Sequence, residues 1–187
     1  MSIYHHGIKG QKWGVRNGPP YPLKRYRRAT AKDLNAIYDT LSDDDKYKVT
    51  GEKMPSPSKF VKNDEELAQY FCYAIVETYK DVPVSAFMWQ NWHGEQTAAE
   101  VITRSGEQYR GKGYATDVAK RGKEWFDRNP KLKEAFWDVA AENKASIHIA
   151  EKLGYAYNPS SIAIDRYGTK WVSYEYRKPG VKMWWED

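Results

Sequence analysis

The sequence predicts an α/β (α+β) domain with a mixed central sheet, and three observations carry that expectation. The order of patterns along the chain is helices, three strands, helix, strand, helix, two strands. Residues 70–104 are dense in β-branched and aromatic side chains. From Gly113 onward, Tyr114, Ala115, Val118, Ala119, Gly122, Trp125 and Phe126 recur at spacings of three and four, the stripe of a helix packed on a sheet.

Residues 1–26 read as an appendage. Gly7, Gly10, Gly14, Gly18, Pro19, Pro20 and Pro22 interrupt any regular element, and no periodic apolar face is present. The domain begins near Thr30, a helix N-cap ahead of Leu34, Ile37, Tyr38 and Leu41. Ser42-Asp43-Asp44-Asp45 suits a helix end or loop, and Pro55 and Pro57 mark a second break. Asn63-Asp64-Glu65-Glu66 has the form of a cap and first turn of a short helix.

Strands are expected over 70–78 and 82–92, joined as a hairpin by Tyr79-Lys80-Asp81, and again over 97–104. Asn129-Pro130 stops the long helix, and 135–140 is a short apolar strand. Asn143 caps a helix bearing Ile149, Ala150 and Leu153, which Gly154 closes. Runs 161–166 and 170–177 flank Tyr167-Gly168-Thr169 as a last hairpin. The expected organisation is a basic arm over 1–28, one domain over 29–178 and a tail over 179–187.

Composition narrows the function classes. A chain of 187 residues holds one well-cored domain, and eight Trp with fifteen Tyr supply large side chains for a core and a lined cleft. The lone Cys72 excludes an intramolecular disulfide and a multi-cysteine zinc site; its apolar surroundings imply a buried, inert thiol. His5-His6 lacks further ligands, so no metal site is expected. No stretch approaches the roughly 18 to 20 apolar residues of a membrane span, and no signal-peptide region follows the start, so a soluble, cytoplasmic protein without a membrane partner is expected. The net charge of +5 is local: residues 1–32 carry eight Lys or Arg and no Asp or Glu. The remainder holds 22 basic and 25 acidic residues, a balance of −3 that disfavours nucleic acid as the domain's ligand.

A strand leading into Gln108-Tyr109-Arg110-Gly111-Lys112-Gly113 and then an amphipathic helix is a geometry that receives phosphate. The glycines permit a tight turn and close approach, and the first helical N–H groups lack intrahelical acceptors. Taken alone, Gly-x-Gly at such a turn is equally consistent with a plain tight turn. The third glycine of a dinucleotide fold and the Gly-Lys-Ser/Thr ending of a P-loop are both missing.

About thirty residues later comes Glu142-Asn143-Lys144-Ala145-Ser146-Ile147-His148-Ile149-Ala150-Glu151-Lys152-Leu153-Gly154-Tyr155. With this second segment the chain resembles the GCN5-related N-acetyltransferase (GNAT) superfamily. Gln108, Gly111 and Gly113 match its Gln/Arg-x-x-Gly-x-Gly/Ala motif, and Asn143, Ser146, Glu151, Lys152, Leu153, Gly154 and Tyr155 match its later segment. The Asn-x-x-Ser form is closest in style to the branch that acetylates ribosomal-protein N-termini.

The resemblance implies a mostly antiparallel sheet with flanking helices, in which the strands at 97–105 and 135–140 splay apart and acetyl-CoA, as co-substrate, lies in the opening. It implies cofactor contacts from Thr103, Arg104, Ser105, Gln108, Tyr109, Arg110, Gly111, Lys112, Gly113, Tyr114, Ala115, Asn143 and Ser146. The implied reaction is acyl-CoA-dependent transfer of an acetyl group by direct attack of a primary amine: a protein N-terminus, a lysine or a small amine.

Glu100 is the leading general base, because the family often places a carboxylate on this strand; Glu107 is a weaker alternative beside the anion site. Ser146 and Tyr155, with Tyr157 as an alternative, are the candidates for the acid that meets the departing thiolate. Ala150 stands where many members carry a tyrosine, and Thr103-Arg104-Ser105 is polar where members are usually apolar. His148 is expected to face outward, and His93 to border the acceptor cleft. Trp89, Trp92 and Met183-Trp184-Trp185 line an acceptor site, cover a sheet edge or pack in the core.

Residues 4–16, with His5, Gly7, Lys9, Gly10, Lys12, Trp13, Gly14 and Arg16 in register, resemble a short module appended to tailed-phage and prophage proteins. That likeness implies docking on a phage structural protein or another acidic surface, in a host cytoplasm or a virion. A catalytically inactive GNAT-fold binding module is the alternative function.

Overall fold

The computed structural model describes residues 24–51, 57–91 and 94–181. Seven strands form one sheet in the order β1-β2-β3-β4-β5-β7-β6: β1 (Lys24–Arg28), β2 (Phe71–Tyr79), β3 (Val82–Asn91), β4 (Gln96–Thr103), β5 (Glu134–Ala140), β6 (Ala156–Ile164) and β7 (Lys170–Arg177). Every neighbouring pair is antiparallel except β4 and β5, which are parallel.

The two faces of the sheet are covered by different helices, and β3 shows why the chain accepts this. Ala86 and Met88 point into a core shared with Leu34 and Ile37 of α1 (Ala31–Tyr38) and Leu67 of α3 (Asp64–Tyr70). Phe87 and Trp89 point the other way, into a core shared with Val118, Ala119 and Phe126 of α4 (Tyr114–Arg128) and Ala150 of α5 (Lys144–Lys152). A strand buried on both faces reads as a continuous apolar run, as β3 does. Trp89 is thus a core residue, its indole N–H donating to the Gly122 carbonyl at 2.9 Å.

Several local expectations meet a different outcome. Ser42-Asp43-Asp44-Asp45 starts a helix, α2 (Asp43–Thr50): Ser42 Oγ accepts the Asp45 N–H at 3.1 Å and three acidic residues occupy the first turn, where they complement the helix dipole. Residues 24–28, assigned to the arm, form edge strand β1, and Arg27 makes a two-pronged contact with Asp33 (2.5 and 2.7 Å) that ties the strand to α1. β6 begins at Ala156, and the Pro159 region is accommodated by a register shift between Asn158 and Ile162 on this edge strand. Cys72 is exposed, sitting where β2 starts and its register slips, so the expectation of a buried thiol is corrected. Residues 182–187 of the tail, the 4–16 segment, Trp92 and His93 lie outside the described residues.

Gly122 marks the closest approach of α4 to the sheet. A Cβ there would lie 2.2 Å from the Phe87 ring. Gly122→Ala gains up to about 1 kcal/mol of helix propensity, but it forces the ring or the helix to move at a cost of about 2–3 kcal/mol. A net loss and a lower Tm are expected by thermal denaturation.

Candidate functional site

β4 and β5 pair at only three positions, Gln96–Glu134, Thr97–Ala135 and Ala98–Phe136. Beyond them each strand stays with its outer neighbour: β4 pairs with β3 through Thr103, and β5 pairs with β7 through Ala140. The sheet therefore splits into a wedge, and a cavity of about 720 Å³ fills the opening. That volume lies in the usual range for small-molecule sites.

The backbone of β4 is exposed inside the wedge. Arg104 N–H donates to Val84 O at 2.7 Å, and Ser85 Oγ donates to Ile102 O at 3.1 Å, so even-numbered residues direct their main-chain groups toward β3. By antiparallel alternation, Val101 and Thr103 direct theirs toward β5, where the ladder has ended. An extended amide-bearing ligand would satisfy them as an added strand.

At the wide end of the wedge stands the N-terminus of α4. Its cap is Gly113 with φ 84° and no side-chain capping bond, and Gly111 is also left-handed at φ 68°. A Cβ at either glycine would meet nothing within 4 Å. The first intrahelical bond runs from Asp117 N–H to Gly113 O, so among the described residues the N–H groups of Tyr114, Ala115 and Thr116 have no protein acceptor. Open space, unpaired donors and the helix dipole together make an anion cradle. Arg110 stands beside it, its guanidinium on Asp45 (2.6 Å) and Ser105 Oγ (3.1 Å). Burial pushes the Asp45 carboxyl up, but the contacts from Arg110 and Ser42 outweigh that and hold it below its ordinary value.

Of the residues expected at this site, Glu100, Thr103, Tyr109, Arg110, Gly111, Gly113, Tyr114, Ala115, Asn143 and Ser146 line the cavity together. Asn143 caps α5 by accepting the Ser146 N–H at 3.2 Å. Ser146 Oγ accepts the Trp137 indole N–H at 2.9 Å, which leaves its hydroxyl hydrogen to donate into the cleft. Glu100 is partly buried on β4, and desolvation raises its carboxyl to about 8 against a small opposing bond from Val101 N–H.

Other expected residues are placed elsewhere. Arg104 turns to α1, donating to Ala36 O at 3.0 Å, and the Ser105 N–H is taken by Thr40 Oγ1 at 3.0 Å. Gln108 is exposed and folds over Gly106, while Glu107 and Lys112 are exposed without lining the cavity. Tyr155 does not reach the cleft: it is 4% exposed, set edge-on to Trp137 and tilted against Tyr176, and burial drives its phenol well above its ordinary value. Tyr157 is exposed on β6, its ring against Tyr174. Ala150 is fully buried. His148 is exposed, in line with its expected outward orientation, and stands at the cavity wall.

Sequence reasoning missed the α2 side of the cleft. Lys48 and Val49 line it, and α2 is fastened across the wedge to the far half of the sheet. Tyr47 OH bonds to Asp165 and, at 2.6 Å, to Thr169; Trp171 Nε1 donates to Asp165 at 3.0 Å; Lys48 lies 3.7 Å from Glu142. Burial opposes ionisation of Asp165, but donors from Tyr47, Trp171 and the Thr169 and Tyr167 amides hold its carboxyl well below the usual range. Asp138 of β5 was also missed, because its place depends on strand register.

A family model described as Acetyltransferase (GNAT) domain matches residues 25–156. No curated protein matches the chain by sequence. Among solved structures, yncA from Salmonella typhimurium with its cofactor acetyl-CoA superposes with a TM-score of 0.64 at 14% identity, covering 87% of this chain and 98% of that one. The ribosomal-protein-alanine N-acetyltransferase of Brucella melitensis gives 0.61 at 14% identity, covering 82% and 99%. The ribosomal-protein-S5-alanine acetyltransferase of Vibrio fischeri gives 0.62 at 10% identity, covering 87% and 97%. At these identities the likeness establishes the fold.

Proposed function

Because the chain belongs to the GNAT acetyltransferase family, we propose that it is an acyl-CoA-dependent N-acetyltransferase that moves the acetyl group of acetyl-CoA to a primary amine. The observation that carries this reading is the uncapped, glycine-opened N-terminus of α4 at the mouth of the β4–β5 wedge. Donors there fit a diphosphate, and the Val101 carbonyl with the main-chain groups of Thr103, which face the opening, fit the amides of a pantetheine arm. Bound in this way, acetyl-CoA supplies the thioester acyl group.

The chain's own residues then supply position and proton chemistry. Glu100, when ionised, takes a proton from the incoming ammonium, and the free amine forms the new C–N bond as the C–S bond breaks. The Ser146 hydroxyl, which accepts from Trp137, gives its proton to the departing thiolate and regains one from the nitrogen as the second amine proton is lost, while Glu100 releases the first to solvent. The products are the N-acetylated amine and the free thiol. A protein N-terminus is the favoured acceptor, in keeping with the Asn143–Ser146 pattern and with what the Brucella and Vibrio neighbours are named for.

A second reading, a GNAT-fold module that binds without turnover, is favoured by the buried Ala150 and the core position of Tyr155. A phage or virion association of such a module rests on residues 4–16, outside the described residues. Among the described residues no helix is long and apolar enough to cross a membrane.

Two measurements separate the readings. Acetyl-CoA at about 100 times its Kd is expected to stabilise the fold by about 2.7 kcal/mol in a thermal-shift assay, and thiol release against a panel of amines should follow. A shift without turnover would select the binding module, and no shift would reject both.

A further inference from the structure

The sheet register brings a second carboxylate to the reacting end of the wedge. The parallel pairs Gln96–Glu134 and Ala98–Phe136 set an offset that places Glu100 across the opening from Asp138. Glu100 lies opposite Met88, whose side chain is in the core beneath α1, so Glu100 and Asp138 share the α1–α2 face of the sheet. Both line the cavity, and Asp138 is exposed to it. The anion cradle of α4 and the Ser146 hydroxyl belong to helices on the other face.

Within the cavity wall no cation is left to balance these two carboxylates. Among the described residues neither Glu100 nor Asp138 has an ion-pair partner. The Lys and Arg side chains of the cavity wall are already engaged: Arg110 with Asp45 at 2.6 Å, and Lys48 with Asp44 at 2.6 Å and Glu142 at 3.7 Å. One strand further, Glu175 of β7 lies opposite Phe136 on the same face and accepts from Asn158. The carboxylates thus step from β4 to β5 to β7, away from the phosphate end of the cleft.

We infer that Asp138 is an acceptor-binding residue, holding the reacting ammonium against Glu100, and that the acceptor is a peptide amino terminus followed by basic side chains. This inference rests on the acetyltransferase reading above. An acyl-CoA carries its charge as phosphate and gains nothing from this face, whereas a cationic acceptor is drawn to it and an acidic one is repelled. Asp138 takes no part in bond making; it sets where the ammonium waits while Glu100 removes its proton.

The test compares two C-terminally amidated peptides, Ala-Arg-Gly-Arg and Ala-Glu-Gly-Glu, by thiol release from acetyl-CoA. The unaltered protein is expected to favour the basic peptide by roughly fivefold to tenfold in kcat/KM, with the advantage shrinking as salt is added. Asp138→Asn should raise KM for the basic peptide and reduce the preference to roughly twofold, while leaving KM for acetyl-CoA and the Tm unchanged. Asp138→Glu, which keeps the charge, should retain the preference. Equal rates with the two peptides, no turnover of either despite acetyl-CoA binding, or an unaltered preference in Asp138→Asn would each overturn the inference alone. Failure of acetyl-CoA to bind the unaltered protein would overturn the reading beneath it as well.

Discussion

Replacing Glu100 with glutamine is expected to lower kcat for acetyl transfer by about 10²- to 10³-fold, the usual scale for losing a general base, while the Kd for acetyl-CoA stays within about twofold. The expectation follows from position and environment together. Glu100 lines the wedge on the face opposite the anion cradle, the side on which the proposed reaction brings the acceptor. Desolvation raises its carboxyl to about 8, close to working pH, where a group balances readiness to accept a proton against the fraction that is ionised. Single-turnover kinetics with a saturating amine would measure the loss, and a glutamine variant with undiminished kcat would remove Glu100 from the mechanism.

The same carboxyl fixes two signs. Below about 8 it is mostly protonated and cannot act as a base, so kcat should climb with pH and level off above that value. The glutamine variant should lack this limb and retain only the titration of the amine itself. For stability the sign is reversed. A carboxyl whose folded value lies above its ordinary 4.5 costs the fold progressively more as pH rises from 4.5 toward 8, and a constant amount beyond. Glu100→Gln is therefore expected to raise Tm at pH 8.5 and to change it little near pH 4.5. A site that loses stability for the sake of function shows this trade.

What the sequence makes legible here is what local chemistry decides. The β2–β3 hairpin follows from two runs dense in β-branched and aromatic residues around a tight turn, and Lys80 and Asp81 do adopt the left-handed values of a two-residue turn (φ 51° and 64°). The α4 stripe, the Asn63 and Asn143 caps and the glycine-opened turn at 111–113 are equally local. α2 was not legible, because its Asp-rich start and few apolar residues resemble a loop; its anchor is Tyr47, which reaches residues 118 and 122 positions away in sequence. β1 was hidden for a related reason, since edge strands carry charge and its five residues include four basic ones. Chain order brings Tyr155 next to α5, yet the turn after that helix sends its ring into the core. Arg104 and Ser105 follow directly on β4, but α1 and its following turn claim them first. Asp138 shows the limit most clearly: that it lies across from Glu100 depends on a parallel register set by partners 38 residues apart.

Gly113→Asp is the sharpest test of the phosphate cradle. Aspartate tolerates the left-handed conformation better than most residues, and nothing lies within 4 Å of a Cβ at this position, so the fold should survive with a loss of about 1 kcal/mol. The new carboxylate would stand where the N–H groups of Tyr114, Ala115 and Thr116 converge, capping them and repelling a diphosphate at the same point. At roughly 4 Å and an effective dielectric constant near 20, one pair of like charges costs about 4 kcal/mol, so acetyl-CoA affinity should fall by at least about 100-fold. Gly113→Ala separates charge from backbone strain: it adds a methyl group to open space, caps nothing, and should weaken binding by less than about tenfold. Calorimetric titration of both variants resolves the two effects. If the aspartate variant bound acetyl-CoA as tightly as the alanine one, the diphosphate would have to lie somewhere other than the start of α4.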